Sequence, residues 1–354
     1  MRTVLLLFTV LVASVAQAQS MAGYADSLRL VYGVPELGYA VVDSTGTLEL
    51  EMLGVKQAGT HRAAEATDHF RIGSITKTMT GILAKELVEN GVLKADVRLF
   101  DLIPELMPKS RKVYRGLTLT DLLAFHARLL PWTYTDSAPD PASFTGDADA
   151  QRLQLMQWAV RQAPVPKGNG YHFSNLSYVA VGLILERSTG RSFRELVQEW
   201  GRAHGIDFRF GAPNVADSQD TWGHTADGTP QAPSADPKLE WLLAAGGISM
   251  SLPEHAALAR IQLIAVIDKV PWISKPGFAQ LQQKEPLYAP GWRWATDADS
   301  TVRLYHVGNP GSFLAEVFLH PYSNRAYLLY ANEQSDGAKA ALDALYLRLV
   351  KRNE

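Results

Sequence analysis

A serine three residues ahead of a lysine, in Ser74-Ile75-Thr76-Lys77, is the arrangement of residue types in this chain with the most chemistry in it. A serine hydroxyl is a weak nucleophile until a base takes its proton. A lysine becomes that base when burial disfavours its ammonium form. Residues three apart share a helix face, so at the start of a helix the Lys77 amine can reach the Ser74 hydroxyl. The helix N-terminus adds unpaired N–H groups and partial positive charge beside the nucleophile. A Ser-x-x-Lys arises about once by chance in a chain of ordinary composition and this length. Alone, it reads as a helix cap followed by a solvated lysine. Here it is the only one in the chain, and its surroundings carry further information.

The elements that must position the pair follow from periodicity. Ile75, Met79, Ile82, Leu83 and Leu87 have the spacing of an amphipathic helix, and Asn90-Gly91 suits a left-handed C-cap. Ahead of it, residues 38–42 and 47–52 flank Asp43-Ser44-Thr45-Gly46, which predicts a hairpin with one face buried. The middle, about 96–237, mixes helical stretches (176–186 and 192–200) with Pro- and Gly-rich loops, and 133–148 reads as a surface loop. Short β-rich runs return at 301–306, 313–319 and 326–330, before a last helix with Leu342, Leu345, Tyr346 and Leu349 on one face. Strands at both ends and helices between predict one sheet built from both termini, a helical lobe set against it, and a ligand cleft between the two.

Composition narrows the chemistry. The 354 residues carry 47% hydrophobic and 20% charged side chains and a net charge of −2, so a sizeable core is expected and a nucleic-acid partner is not. Cysteine is absent, which excludes disulfides, thiolate catalysis and Cys-based metal sites. The nine histidines lack the paired helical spacing of a zinc hydrolase, so neither metal nor cofactor is expected. At the N-terminus, Arg2, the apolar run 4–12 and Ala16-Gln17-Ala18 have the layout of an export signal cleaved after Ala18. The run is shorter than the roughly 20 residues that span a bilayer. The expectation is a periplasmic or secreted protein with no stable membrane span.

Phe70-Arg71-Ile72-Gly73-Ser74-Ile75-Thr76-Lys77-Thr78 resembles the first motif of the class C β-lactamase, DD-peptidase and esterase group, within the β-lactamase and penicillin-binding-protein superfamily. Residues 87–91, 100–105, Gly246-Gly247-Ile248-Ser249-Met250-Ser251, Gly291-Trp292 and Asn332 continue the pattern in order. His306-Val307-Gly308, followed by Asn309-Pro310-Gly311-Ser312-Phe313, resembles the third motif. The resemblance implies an α/β (α+β) fold of the β-lactamase/transpeptidase type, with an antiparallel sheet flanked by helices and a mainly helical lobe. It places the sheet lobe at about 24–95 and 240–354 and the helical lobe at about 96–239, within one domain spanning 19–354. It implies Ser74 as nucleophile, Lys77 as its base, and substrate contacts from Asn175, His306, Gly308 and Asn309. His306 would place charge or a hydrogen-bond donor near the substrate carboxylate or the serine. The N–H groups of Ser74 and Asn309 would form an oxyanion hole.

Two positions depart from the pattern. The second motif should read Tyr-x-Asn, and here it is Phe173-Ser174-Asn175, so the hydroxyl that relays protons in the family is lost. The family's Leu-Leu-x-His-x-Ser-Gly-Leu run is here Leu122-Leu123-Ala124-Phe125-His126-Ala127-Arg128-Leu129, without the His, Ser and Gly at their positions. Two functions are therefore weighed. One is a serine hydrolase working through an acyl-enzyme on a small-molecule or peptide ester, amide or lactam. The other is a weak or inactive relative that binds peptide or cell-wall fragments in the same cleft.

Overall fold

The computed structural model describes residues 20–168, 170–232, 236–267, 290–296 and 301–353. The expected signal at 1–18 lies outside the described residues. Helix α1 (Met21–Val31) leads into strands β1 (Glu36–Val42) and β2 (Thr47–Gly54). Asp43 folds the turn between them, its Oδ1 accepting from the backbone N–H groups of Thr45 and Gly46. Strand β3 (His69–Arg71) runs into a 3-10 turn (Gly73–Ile75) and then α2 (Thr76–Glu89). The helical middle holds α3 (Leu99–Leu102), α4 (Leu119–Leu123), α5 (Ala148–Ala159), α6 (Asn175–Thr189) and α7 (Phe193–His204). After β4 (Arg209–Phe210) come α8 (Pro213–Ala216), α9 (Pro237–Trp241), α10 (Leu243–Gly246), β5 (Ile248–Ser251) and α11 (Leu252–Ile267). The chain ends with β6 (Arg293–Thr296), β7 (Val302–Gly308), β8 (Leu314–His320), β9 (Arg325–Ala331) and α12 (Asp336–Asn353).

The larger sheet is antiparallel in the order β2-β1-β9-β8-β7-β6, so strands from the two ends of the chain meet where β1 pairs with β9. Its central strands β1, β8 and β9 are buried on both faces, because helices cover both. Period-2 alternation sorts their side chains: Tyr39 and Val41 face α1 and α12, whereas Ala40 and Val42 join the main core with α2, α6 and α11. Strand β2 lies at the edge and is half-exposed rather than cleanly one-sided. A second, three-stranded sheet, β3-β5-β4, was not apparent in the sequence. Its strands of two to four residues are too short to show a period.

Helices α6 and α7 run three and four residues past the ends expected at 186 and 200. A Ser192/Glu195 capping box opens α7, and Gly205 closes it in the left-handed conformation. Helix α2 departs from the amphipathic expectation. Thr76 to Gly81 are all buried, because the helix runs between the sheet and the helical lobe. Its threonines remain satisfied, Thr78 and Thr80 donating to backbone carbonyls and Thr76 Oγ1 accepting from Ile248 N. No described helix is long and apolar enough to cross a membrane.

Candidate active site

Ser74 lies in the 3-10 turn that joins β3 to α2, and its side chain is half-buried at the end of a covered helix. Gly73 adopts φ +51°, and a Cβ there would lie 2.9 Å from the backbone nitrogen of Asn309. The turn thus presses against the end of β7. Gly308 makes the approach possible: a Cβ at that position would sit 1.8 Å from the Ile72 carbonyl oxygen. Side chains alternate along β7, and His306 and Gly308 share the face turned to this turn. The backbone N–H groups of Ser74 and Asn309, side by side here, donate to no described residue. They are suited to receive negative charge on an attacked carbonyl oxygen.

Lys77 enters from the first turn of α2 and is fully buried. Its Nζ donates to Ser74 Oγ at 2.9 Å, to Asn175 Oδ1 at 2.9 Å and to the Ala245 carbonyl at 2.7 Å. Asn175 opens α6, and its own amide donates to the Trp132 carbonyl at 2.9 Å, which fixes the rotamer. No described carboxylate pairs with Lys77. Burial, and then the nearby Arg293 guanidinium, hold its pKa well below the ordinary lysine value. A neutral amine has two donors and one lone pair. The two carbonyl-type acceptors can take the donors, leaving the lone pair for the Ser74 hydroxyl proton.

His306 is buried, and its pKa is pushed down to about 3 by burial first, with Lys77 and Arg293 adding to the effect. It is neutral near neutral pH, so of the two roles expected for it only uncharged hydrogen bonding is open. Phe173 packs between the Lys77 amine and the Arg293 guanidinium, its ring centroid 5.3 Å from Lys77 Nζ and 4.7 Å from Arg293 Cζ. Among the described residues, the tyrosine ring beside Lys77 does not restore the hydroxyl. The Tyr178 ring lies 5.8 Å from Lys77 Nζ, but its hydroxyl donates to the Leu123 carbonyl at 3.2 Å. His172 bonds to the Lys167 carbonyl and His126 is exposed.

The two motif departures meet in space. Phe125, at the family's His position, has its ring 4.9 Å from Phe173, 5.2 Å from Tyr178 and 5.6 Å from Tyr171. Arg128 replaces the family glycine yet keeps φ +57°. Asn332 is drawn away from the cleft: it is fully buried, accepts from Glu36 N at 2.8 Å and donates to the Lys56 carbonyl at 3.2 Å.

Sequence reasoning missed the Ala245 and Trp132 carbonyls, which carry no residue-type signal, and Arg293, an isolated arginine on a short strand. The structure brings Ser74, Lys77, Asn175, Phe173, His306, Gly308 and Asn309 together where the start of α2 meets α6 and the end of β7.

A family model for Beta-lactamase matches residues 18–352. Penicillin-binding protein 4 of Amycolatopsis lactamdurans is 27% identical over 176 residues, 49% of this chain and 44% of that protein. Protein flp of Staphylococcus aureus (strain COL) is 23% identical over 298 residues, 81% of this chain and 57% of that protein. The D-alanyl-D-alanine-carboxypeptidase/endopeptidase AmpH of Escherichia coli (strain K12) is 26% identical over 50% of this chain and 45% of its own. The chain thus spans about half the length of these curated relatives. Among solved structures, a class C beta lactamase from Rhodobacter sphaeroides superposes with a TM-score of 0.68 at 19% identity, over 93% of this chain and 99% of the other. The octameric penicillin-binding protein homologue from Pyrococcus abyssi gives 0.70 at 18% identity, over 93% and 76%. These likenesses share the antiparallel sheet with its flanking helices, and the family match covers nearly all of the described chain. The chain belongs to the beta-lactamase family, within the superfamily of β-lactamase-like serine hydrolases.

Proposed function

We propose that this chain is an exported serine hydrolase that forms an acyl-enzyme at Ser74 with an ester, amide or lactam and turns over amides and lactams poorly. The observation that carries the reading is the buried Lys77 amine, 2.9 Å from Ser74 Oγ and without a carboxylate partner among the described residues. Neutral Lys77 takes the hydroxyl proton as Oγ attacks the acyl carbon. The carbonyl oxygen gains negative charge between the N–H groups of Ser74 and Asn309. The tetrahedral adduct then collapses, and the leaving group departs with the proton held by Lys77. Water repeats the sequence to release the acid and free serine. The names of the relatives, a penicillin-binding protein and a carboxypeptidase, put lactams and peptides among the acyl compounds to test. Export through the segment 1–18 belongs to the same proposal, and mass spectrometry of the secreted protein tests it through a new N-terminus at Gln19.

Phe173 favours a second reading, a weak or inactive relative that binds peptide or cell-wall fragments. An activated ester needs little help for its leaving group, whereas an amide or lactam nitrogen must be protonated as it leaves. On the hydrolase reading, p-nitrophenyl acetate is cleaved readily and a chromogenic cephalosporin poorly. Phe173→Tyr should then raise lactam kcat/KM by about 10–100-fold and ester kcat/KM by less than about 3-fold, in line with the worth of one acid–base group. Efficient lactam hydrolysis by the wild type, or a Phe173→Tyr protein unchanged on both substrates, would show that another group relays the proton. No cleavage of either substrate would favour the binding protein.

A further inference from the structure

Arg71 ends β3, three residues before Ser74, and is only 5% exposed. Its guanidinium makes no hydrogen bond or ion pair with any described residue, and its Nε is buried without a partner. Buried arginines are normally paired, because a charge removed from water is costly when nothing replaces the water. Glu240 and Asp236 are near enough to attract the guanidinium, but no described carboxylate reaches it within ion-pair distance. Glu240 pairs with Arg194, and Asp236 accepts from the backbone of Lys238 at 2.8 Å.

The guanidinium borders a cavity of about 210 Å³. Tyr134, Asn214, Gln231, Ser312 and Asp236 also line it, so hydrogen-bonding groups surround the arginine. The cavity shares walls with the serine site. Pro310 follows Asn309 directly and packs on Gly73, where a Cβ would lie 3.1 Å from Pro310 Cδ. Tyr134 follows Trp132, whose carbonyl holds Asn175, and its Oη packs against Gly311. Lys77, Phe173 and His306 do not line it. It therefore lies apart from the groups that handle the leaving-group proton, next to the two N–H groups suited to the carbonyl oxygen.

We propose that Arg71 and this cavity form a subsite for a carboxylate carried on the acyl part of the substrate. The proposal rests on the hydrolase reading for the word substrate, though not for the binding itself. A planar guanidinium matches a carboxylate through paired N–H···O bonds, and burial strengthens them. The Asp236 carboxylate on the same wall disfavours a dianion such as phosphate, and the small volume suits a short acidic side chain.

The test compares p-nitrophenyl hemiglutarate with p-nitrophenyl valerate, esters of equal chain length with and without the acid. The wild type should prefer the acidic ester by at least about ten-fold in kcat/KM, the scale of one charge-assisted hydrogen-bonded pair. Arg71→Gln should bring that ratio near one, and Arg71→Lys should restore part of it. A binding measurement that needs no turnover accompanies it: calorimetry of monomethyl glutarate with the Ser74→Ala protein. Binding there that weakens at least about ten-fold on adding Arg71→Gln supports the subsite, a tenfold change being a resolvable step in affinity. Such binding without turnover of any ester would uphold the subsite and sink the hydrolase reading. Turnover with no acid preference, together with no binding of monomethyl glutarate, would overturn the subsite and leave the hydrolase reading standing. Should Arg71→Gln fail to fold, the wild-type ratio and Arg71→Lys decide in the same way.

Discussion

An ammonium group surrounded by neutral acceptors, with no described carboxylate in reach, is less stable in the folded protein than in water, and these surroundings favour the neutral form of Lys77. The depressed pKa has a sign that can be checked. Between the lowered folded value and the ordinary lysine value near 10.5, the unfolded chain binds more protons than the folded one. Wild-type stability should therefore rise with pH through that window, and the penalty is fully present below it. Lys77→Met keeps the volume and removes the charge. It should abolish turnover, raise stability at neutral pH by about 1–2 kcal/mol, and flatten the rise with pH, because the unfolded chain no longer gains from protonating a lysine that the fold keeps out of water. Urea unfolding of both proteins at pH 7 and pH 10 measures this, and a less stable Lys77→Met protein would show that the ammonium is well solvated. Ser74 and Lys77 were legible in the sequence because their types and offset carry the chemistry, and Asn175 through the resemblance to the family's second motif. The Ala245 carbonyl that completes the lysine's shell was not, since any residue supplies one.

The segment after α4 and the start of α6 act as one packed unit at the scale of elements. Phe125 and Phe173 each replace a polar residue of the family pattern, and their rings touch at 4.9 Å. The sequence showed two separate departures. Only the fold showed that the two substituted positions touch. Truncating either ring should cost about 3–5 kcal/mol at most, less for the half-buried Phe173. In a cycle of Phe125→Ala, Phe173→Ala and the double variant, the losses should fail to add by about 0.5–1.5 kcal/mol, the usual coupling of an aromatic pair. Additivity in denaturant melts would mean that the two substitutions are independent. The strand pattern at 301–331 was readable because residues alternate on β7 and the turns between strands are short. The β3-β5-β4 sheet was not readable, although β3 delivers Ser74 to the cleft. Its pairing is set by long-range contacts between fragments too short to have a period of their own.

The molecule as a whole separates the layer that holds the sheet together from the layer that holds the site. Residues on one face of the sheet pack with α1 and α12, and residues on the other pack with the helices around Ser74. Leu345 of α12 is fully buried in the first cluster. Leu345→Ala should lower unfolding stability by about 2–5 kcal/mol through the lost burial and the cavity left behind. Serine labelling per folded molecule should stay the same; a drop would mean that the two faces are coupled. Burial of β1 on both faces exceeded the one-sided hairpin expected, and the covering of the first turns of α2 on all sides was not expected either. That covering is what removes Lys77 from water, and so the central claim concerns the lysine's protonation. It is tested most directly by the rate at which a fluorophosphonate labels Ser74 as a function of pH, in the wild type and in Lys77→Ala. The account predicts a wild-type rate that rises with pH and levels off well below the ordinary lysine pKa of about 10.5. It predicts a Lys77→Ala rate at least about 10²-fold lower, as expected for the loss of a general base. Equal labelling of the two proteins, or a wild-type rate independent of pH from mildly acidic to alkaline conditions, would contradict it.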